Sequence, residues 1–439
     1  MATLLRFRIF FQAALSATLA LALLATLCGG IGCSPSRATP LYTWTQLGPG
    51  GVLIARAIVR GSRCPEIRIN SQARIMKKRG ETPEGFSGLV SCESTLPQGV
   101  QTASIQGIRL PLQTARPKRM LVLGDTGCRI KRNRKGKLWA QNCDGKGKGP
   151  AWSFEKLART AAGTKPDLIV HLGDYHYRES ACSIAGCRNS PYGDAWAAWE
   201  ADFFRPARKL LLQAPWIFVR GNHESCERAW KGWYYFLDPG PLPRDPWRDG
   251  NCRRLTPPLA YDFDGLRLIA LDTAAGPSKY EKEYITIFNA ANALAEKTPR
   301  PAWLFSHRPL RGITSYNDGQ KKLGATELTE YLRRTKRKNI SRKFRLTFAG
   351  HIHITERMRF RDGFPTTYIA GAGGTALDPA ITPEMTRKGS AVFNRLQMNP
   401  GDFSFISGFT FLLITPTRRG FRARVIDEDG KTRASFSEQ

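Results

Sequence analysis

The sequence predicts an α/β (α+β) fold preceded by a small β-rich segment. Three observations carry that expectation. The first is a series of short apolar runs that end in Gly, Asp, Asn or His: MLVLGD (120–125), DLIVHLGD (167–174), WIFVRGNHE (216–224), LRLIALD (266–272), PAWLFSH (301–307), RLTFAGHIH (345–353) and TYIAGAGG (367–374). Short apolar runs bounded by Gly are buried-strand signals. The second is the set of helical stretches between them: WSFEKLARTAAG, DAWAAWEADFFRPARKLLLQ, YITIFNAANALAEKT and ATELTEYLRRTKRK. Strand alternating with helix predicts layered α/β packing. The third is a change of texture near residue 116.

Residues 41–116 hold strand-like runs (GVLIARAIV, PEIRIN), turn signals (TPEGFSG, LPQGV) and no histidine. ARPKRM (115–120) marks the boundary. A small β-rich module at 41–116 and a larger domain at 117–435 are therefore expected. The C-terminal stretch GFTFLLITPTRRGFRARVIDEDGKTRASF reads as antiparallel strands, with EDGK as a tight turn.

The N-terminus reads as a targeting segment. Arg6 and Arg8 precede the uncharged, nearly all-apolar run Ile9–Leu27, and GGIGCSPS follows. Residues 1–33 resemble a bacterial secretory signal, with Cys33 as the candidate lipidation site and Gly30 where Leu is usual. A simple cleaved signal and a retained anchor are the alternatives, since the run can just span a bilayer. The expected location is outside the cytoplasm: the cell envelope, periplasmic or lipid-anchored, or secreted.

Eight cysteines lie beyond that segment. An even number in an exported chain reads as disulfides. Pairing sequence neighbours, 64–92, 128–143, 182–187 and 226–252, closes one loop per bridge. No C-x-x-C knuckle supports the rival reading, a zinc site.

The chain carries 67 Lys and Arg against 36 Asp and Glu, a formal net charge of +31. Such a field attracts phosphate esters, nucleic acid or an anionic membrane or polymer surface, and does not choose among them. Residues 129–150 alone hold eight Lys or Arg and one Asp, in a loop expected on the strand-end face. LRRTKRKNISRKFR (332–345) is a second basic stretch. No recognised nucleic-acid module and no regular aromatic–basic interleaving is present, so nucleic acid enters only as a substrate.

Ligands of α/β sheets bind beyond the carboxyl ends of the strands. Those ends carry Asp125, Asp174, Tyr177, Asn222, His223, His307, His351 and His353. The protein has six histidines; four are in this set, and His171 and His176 flank Asp174. Carboxylates, an amide oxygen, a phenol and imidazoles are hard-to-borderline metal donors, and they outnumber what one ion needs. Two cations about 3.5–4 Å apart clamp a phosphoester displacement.

GDTG (124–127), GDYHY (173–177), GNHE (221–224), LFSH (304–307) and GHIH (350–353) resemble, in order, the five signature blocks of calcineurin-like metallophosphoesterases. The resemblance covers residues 118–375. It is closest to the purple acid phosphatase branch, which has Asp-x-Gly in the first block and Gly-Asp-x-x-Tyr in the second. Leu304 stands where Val is commoner.

The resemblance implies a four-layer α-β-β-α sandwich and two metal sites. Asp125, Asp174, Tyr177 and His353 would hold Fe(III). Asp174, Asn222, His307 and His351 would hold a divalent Fe, Zn or Mn, with Asp174 bridging. It also implies attack by metal-bound hydroxide on a phosphomonoester. His223 has no metal role left and is the candidate to bind the phosphate or protonate the leaving alcohol. A phosphodiesterase or nucleotidase on the same site is the alternative activity. A non-catalytic basic protein that binds anionic surfaces is a weaker one.

Among the remaining residues, His171 reads as a core histidine. His176 reads as pocket-lining or water-facing. Glu224 and Arg220 read as supporting or surface residues, GAGG (371–374) as a tight turn, and Arg308 as a candidate phosphate contact.

Overall fold

Each apolar run from Met120 onward forms a strand, and these strands collect into two sheets. The computed structural model describes residues 39–438 apart from 134, 146–148, 249, 317–319, 326, 327 and 419. The expected targeting segment and Cys33 lie outside the described residues.

One sheet has ten strands. Its centre is parallel: Met120–Leu123, Leu168–His171, Trp216–Phe218 and Pro40–Leu47 lie side by side. Antiparallel strands extend it, with Thr410–Thr417, Gly420–Asp427 and Thr432–Glu438 on one flank. The other sheet has seven strands, with Leu266–Leu271, Ala302–Ser306, Phe344–Ala349 and Thr366–Ala370 parallel at its centre. Parallel strands bury both faces, which is why these runs are continuously apolar rather than alternating.

The sheets pack face to face. Trp303 meets Phe421 with ring centroids 4.7 Å apart, and Arg357 Nε donates to Glu438 Oε1 at 2.7 Å across the layers. Helices cover the outer faces. Phe154, Leu157, Ala158 and Ala161 of helix Phe154–Gly163 bury against Leu121, Leu123 and Ile169 of the first sheet. Tyr284, Phe288, Ala291 and Ala295 of helix Glu281–Glu296 bury against Ile269, Leu271 and Leu304 of the second. The order is α-β-β-α, a mixed α/β fold. Among the described residues no helix is long and apolar enough to cross a membrane.

Residues 41–116 are rich in strands. Pro40–Leu47, Leu53–Arg60, Leu89–Thr95 and Lys77–Lys78 continue the ten-stranded sheet, and Glu66–Ile69, Gln72–Ile75, Ala103–Ile105 and Ile108–Arg109 form a small sheet of their own. The stretch DAWAAWEADFFRPARKLLLQ is helical in short pieces: an α-turn at Trp196–Trp199, a π-turn at Glu200–Phe204, then Arg205–Ala207 and Leu210–Leu212. Among the described residues the disulfides are Cys64–Cys92, Cys128–Cys143, Cys182–Cys187 and Cys226–Cys252, the neighbour pairs expected.

Candidate metal centre

The two sheets deliver their parallel strand ends to one place. Strands Met120–Leu123, Leu168–His171 and Trp216–Phe218 lead into Asp125, Asp174 and Asn222. Strands Ala302–Ser306 and Phe344–Ala349 lead into His307 and into His351 and His353. Asp125, Asp174 and His351 all take left-handed backbone, with φ of 60°, 59° and 71°. For a residue with a Cβ this costs about 1–2 kcal/mol, and such strain collects at functional sites.

Neighbouring strand ends are tied to each other. Asp125 N donates to Gly173 O at 2.9 Å, Thr126 N to Asp174 O at 3.0 Å, and Gly350 N to His307 O at 3.0 Å. Glycines let the backbone close in. A Cβ on Gly221 would collide with Asp174, and one on Gly350 with the Asp125 carboxylate.

The side chains fall into two clusters that share one atom. The Tyr177 hydroxyl lies 3.0 Å from Asp125 Oδ1, 2.8 Å from Asp174 Oδ2 and 3.1 Å from His353 Nε2. His307 Nε2 lies 3.0 Å from Asn222 Oδ1, 3.2 Å from His351 Nδ1 and 3.3 Å from Asp174 Oδ2. Asp174 Oδ2 thus belongs to both. Donor atoms about 3 Å apart are what a polyhedron with metal bonds of about 2.0–2.2 Å produces. His307 Nε2 and His351 Nδ1 face each other at 3.2 Å, within reach of one cation. The donors Asp174, His307 and His351 lie within 4.8 Å of one another. The residues present fit a two-ion centre.

Electrostatics describe the same demand for positive charge. Burial would raise the Asp174 carboxyl, but His307 and His223 pull it well below the ordinary range. Burial would lower His307, yet Asp174 and Asp125 hold it up at about 9. Burial, then Asp125 and Asp174, push the Tyr177 phenol well above its usual value, so only a bound cation would make it a phenolate near neutral pH. Burial, with Arg308 and His307, keeps His351 well below its ordinary value and neutral.

His223 is buried beside these donors. Its backbone N–H donates to Asp174 Oδ1 at 2.8 Å, its ring lies 3.8 Å from that of Tyr177, and its Nε2 is 3.8 Å from Asp174 Oδ2. Its Nδ1 is 3.0 Å from Glu179 Oε1. Burial raises the Glu179 carboxyl, but the His223 contact and Arg228 bring it down to about 2. Arg308 Nη1 comes within 2.9 Å of His351 Nε2.

Several supporting residues escaped the sequence reading. Asp202, fully buried, accepts from Cys128 N at 3.0 Å, Tyr177 N at 2.7 Å and Arg178 Nε at 2.7 Å. Asp378 accepts from His353 N at 2.9 Å. Neither sits in a strand-end block, so no local signal pointed to them.

Glu224 is fully buried and accepts from the backbone N–H of Gly221, Asp174, Tyr175 and His176. Arg220 is also buried, with Nε donating to Glu224 O at 2.8 Å. His171 is a core histidine, stacked on Tyr175 and 3.1 Å from Thr126 Oγ1. His176 corrects both readings given for it. It is buried, and its Nε2 lies 2.9 Å from Gly193 O, because the Asp174–Arg178 loop turns it inward toward Trp199.

Residues 118–355 match the family model described as calcineurin-like phosphoesterase. The purple acid phosphatase PPD1 from yellow lupin (Lupinus luteus) seeds is similar in structure, with a TM-score of 0.58 and 13% identity over 91% of this chain and 74% of that one. The structure of PhoD is also similar, with a TM-score of 0.50 and 10% identity over 92% of this chain and 94% of that one. At these identities the likeness is one of fold. No curated protein matches the sequence.

Proposed function

The chain belongs to the calcineurin-like phosphoesterase family, a family with a dinuclear metal centre, and on that premise we propose an exported phosphatase that hydrolyses phosphomonoesters. The observation that carries the proposal is the position of the Tyr177 hydroxyl, within 3.1 Å of Asp125, Asp174 and His353. An oxygen-rich set of two carboxylates and a phenol suits a hard trivalent ion, ferric iron. The set of Asn222, His307 and His351 with Asp174 suits a borderline divalent one.

Bound there, the two cations supply Lewis-acid polarisation of the phosphoryl oxygens and a lowered pKa for water. The chain does the rest. Asp174, whose Oδ2 is 2.8 Å from the Tyr177 hydroxyl and 3.3 Å from His307 Nε2, would be the residue the two sites share. Asp125 orients the second sheet's contribution by accepting from His351 N at 2.9 Å. His307 is turned by its Nδ1, which donates to Leu172 O at 2.8 Å and leaves Nε2 for the centre. Glu179 sets the ring of His223 from the Nδ1 side, so that Nε2 faces the centre. Burial lowers the His223 imidazole, with Asp174 and Glu179 opposing it, so Nε2 would hand a proton to the leaving alcohol oxygen on the acidic side of the ordinary imidazole range. The four disulfides suit an oxidising compartment, in keeping with export.

Metal analysis together with hydrolysis of p-nitrophenyl phosphate and bis-p-nitrophenyl phosphate tests the proposal. Faster turnover of the monoester is expected. Preference for the diester would move the assignment to a phosphodiesterase. Absence of turnover of both by metal-loaded protein would remove the enzyme reading and leave a surface-binding role.

A further inference from the structure

We infer that the centre has a second anion subsite, built from Arg129, Lys131 and Arg228 on its Tyr177 side, which takes a further phosphate or equivalent anionic group of the substrate. The inference deepens the phosphoesterase reading above and rests on it.

The subsite is held by the backbone. Ile130 N donates to Tyr177 O at 3.0 Å, and Glu179 N donates to Ile130 O at 3.0 Å, so strand Ile130–Arg132 runs alongside Tyr177–Glu179. The Cys128–Cys143 disulfide and the pairing of Ile130–Arg132 with Leu138–Ala140 fix the hairpin. Ile130 is buried. Alternation along a strand then places Arg129 and Lys131 together on the opposite face.

The guanidinium of Arg129 lies 4.9 Å from the centroid of the Tyr177 ring, and its Nη2 is 3.5 Å from His353 Nε2. Arg228 arrives from the loop after GNHE, with Nη1 3.3 Å from Glu179 Oε1. That same oxygen is 3.0 Å from His223 Nδ1. The cluster therefore adjoins both the first metal site and the residue proposed to protonate the leaving group.

Its charge is unbalanced. Lys131 and Arg228 face one carboxylate, Glu179, which is shared with His223, and Arg129 lies beside His353, whose backbone N–H is held by Asp378. Asp125 and Asp174 are turned toward Tyr177 and the metal donors. Partial desolvation and Arg129 lower the Lys131 ammonium, with Arg228 acting in the same direction and Glu179 against them. Arg129 Nε is buried without a hydrogen-bond partner among the described residues. Like charges crowded beside a centre that already handles phosphate are relieved by an anion. A phosphomonoester of a neutral alcohol would leave this cluster unmet. A substrate with a second phosphate on its alcohol portion would meet it.

The test uses the metal-loaded full chain with fructose 1,6-bisphosphate and fructose 6-phosphate as paired substrates, and Lys131→Gln and Arg228→Gln as variants. Both side chains reach solvent, so folding is expected to survive. Wild type should favour the bisphosphate in kcat/KM by about tenfold or more, and each variant should cut that ratio about fivefold, chiefly through KM. Equal losses on both substrates, or an unchanged ratio, would overturn the subsite. Calorimetric titration with pyrophosphate supplies a readout without turnover: affinity should fall about tenfold in each variant, and equal affinity would overturn the subsite as well. If neither substrate is turned over while the variants still lose pyrophosphate, the phosphoesterase reading fails and the anion site stands.

Discussion

The carboxylate of Glu224 accepts the backbone N–H of Asp174 at 2.9 Å. The same carboxylate accepts from Gly221 N at 3.0 Å, Tyr175 N at 2.9 Å and His176 N at 3.1 Å. Two strand-end loops are thereby fastened to one buried acid. Burial and then Asp174 push its carboxyl up to about 8. Four donors, two to each oxygen, favour the carboxylate instead, since they leave no oxygen free to carry a proton.

Glu224→Ala should therefore do two kinds of damage. It strands four buried donors, a cost of about 3 kcal/mol or more in stability. It also frees the loop that carries Asp174, and loss of such a supporting contact costs metal affinity about 10–100-fold. Chemical denaturation and metal titration of the variant measure the two separately. Unchanged metal affinity would show that Glu224 only supports the fold.

The proposed iron site turns on Tyr177. A phenolate bound to ferric iron gives a visible charge-transfer band. Iron-loaded wild-type protein should be coloured, and Tyr177→Phe should lose the band while retaining iron at the second site. A band that persists in Tyr177→Phe would assign the colour to another group and remove Tyr177 from the ligand set.

How much of this was legible beforehand depends on range. Strand ends are local events: an apolar run, then Gly and a polar residue. All seven runs formed strands, and the polar residues that follow five of them, Asp125, Asp174, Asn222, His307, His351 and His353, converged. Glu224 and Asp202 act through tertiary contacts instead. Asp202 sits in the π-turn Glu200–Phe204, where the sequence reads only as a helical stretch, and reaches Tyr177 across 25 residues. The same limit hid the pairing of Pro40–Leu47 with Trp216–Phe218, because no local pattern records a parallel neighbour so distant in sequence. His176 was misread for a related reason: a polar residue beside metal donors looks exposed until the loop's direction is known.

Asp202 makes a prediction of its own. It pairs with Arg178 Nε at 2.7 Å, and both side chains are almost fully buried. Asp202→Ala leaves that guanidinium without its counter-charge, at a cost of about 3–5 kcal/mol. Combining it with Arg178→Met removes the uncompensated charge, so the double variant should be more stable than Asp202→Ala alone. Denaturant unfolding of the set decides the matter. A double variant less stable than Asp202→Ala would mean that Arg178 is held by other groups.

A last prediction concerns pH. Glu356, on strand Thr355–Met358, is fully buried. Its Oε2 accepts from Ile313 N at 3.4 Å, and among the described residues its Oε1 has no hydrogen-bond partner. Burial pushes its carboxyl well above the ordinary value, with Asp378 adding to the effect and the Ile313 bond opposing it. A raised carboxyl means that the folded chain keeps a proton the unfolded chain has released. Between the unfolded value, about 4.3, and the raised folded value, stability falls as pH rises, by up to about 1.4 kcal/mol per unit. Below that window Glu356 contributes no slope. Glu356→Gln keeps the shape and removes the titration. Its melting temperature should match wild type near pH 4 and exceed it by a growing margin as pH rises toward 7. A margin that stays constant from pH 4 to 7 would show that Glu356 does not titrate differently in the folded chain.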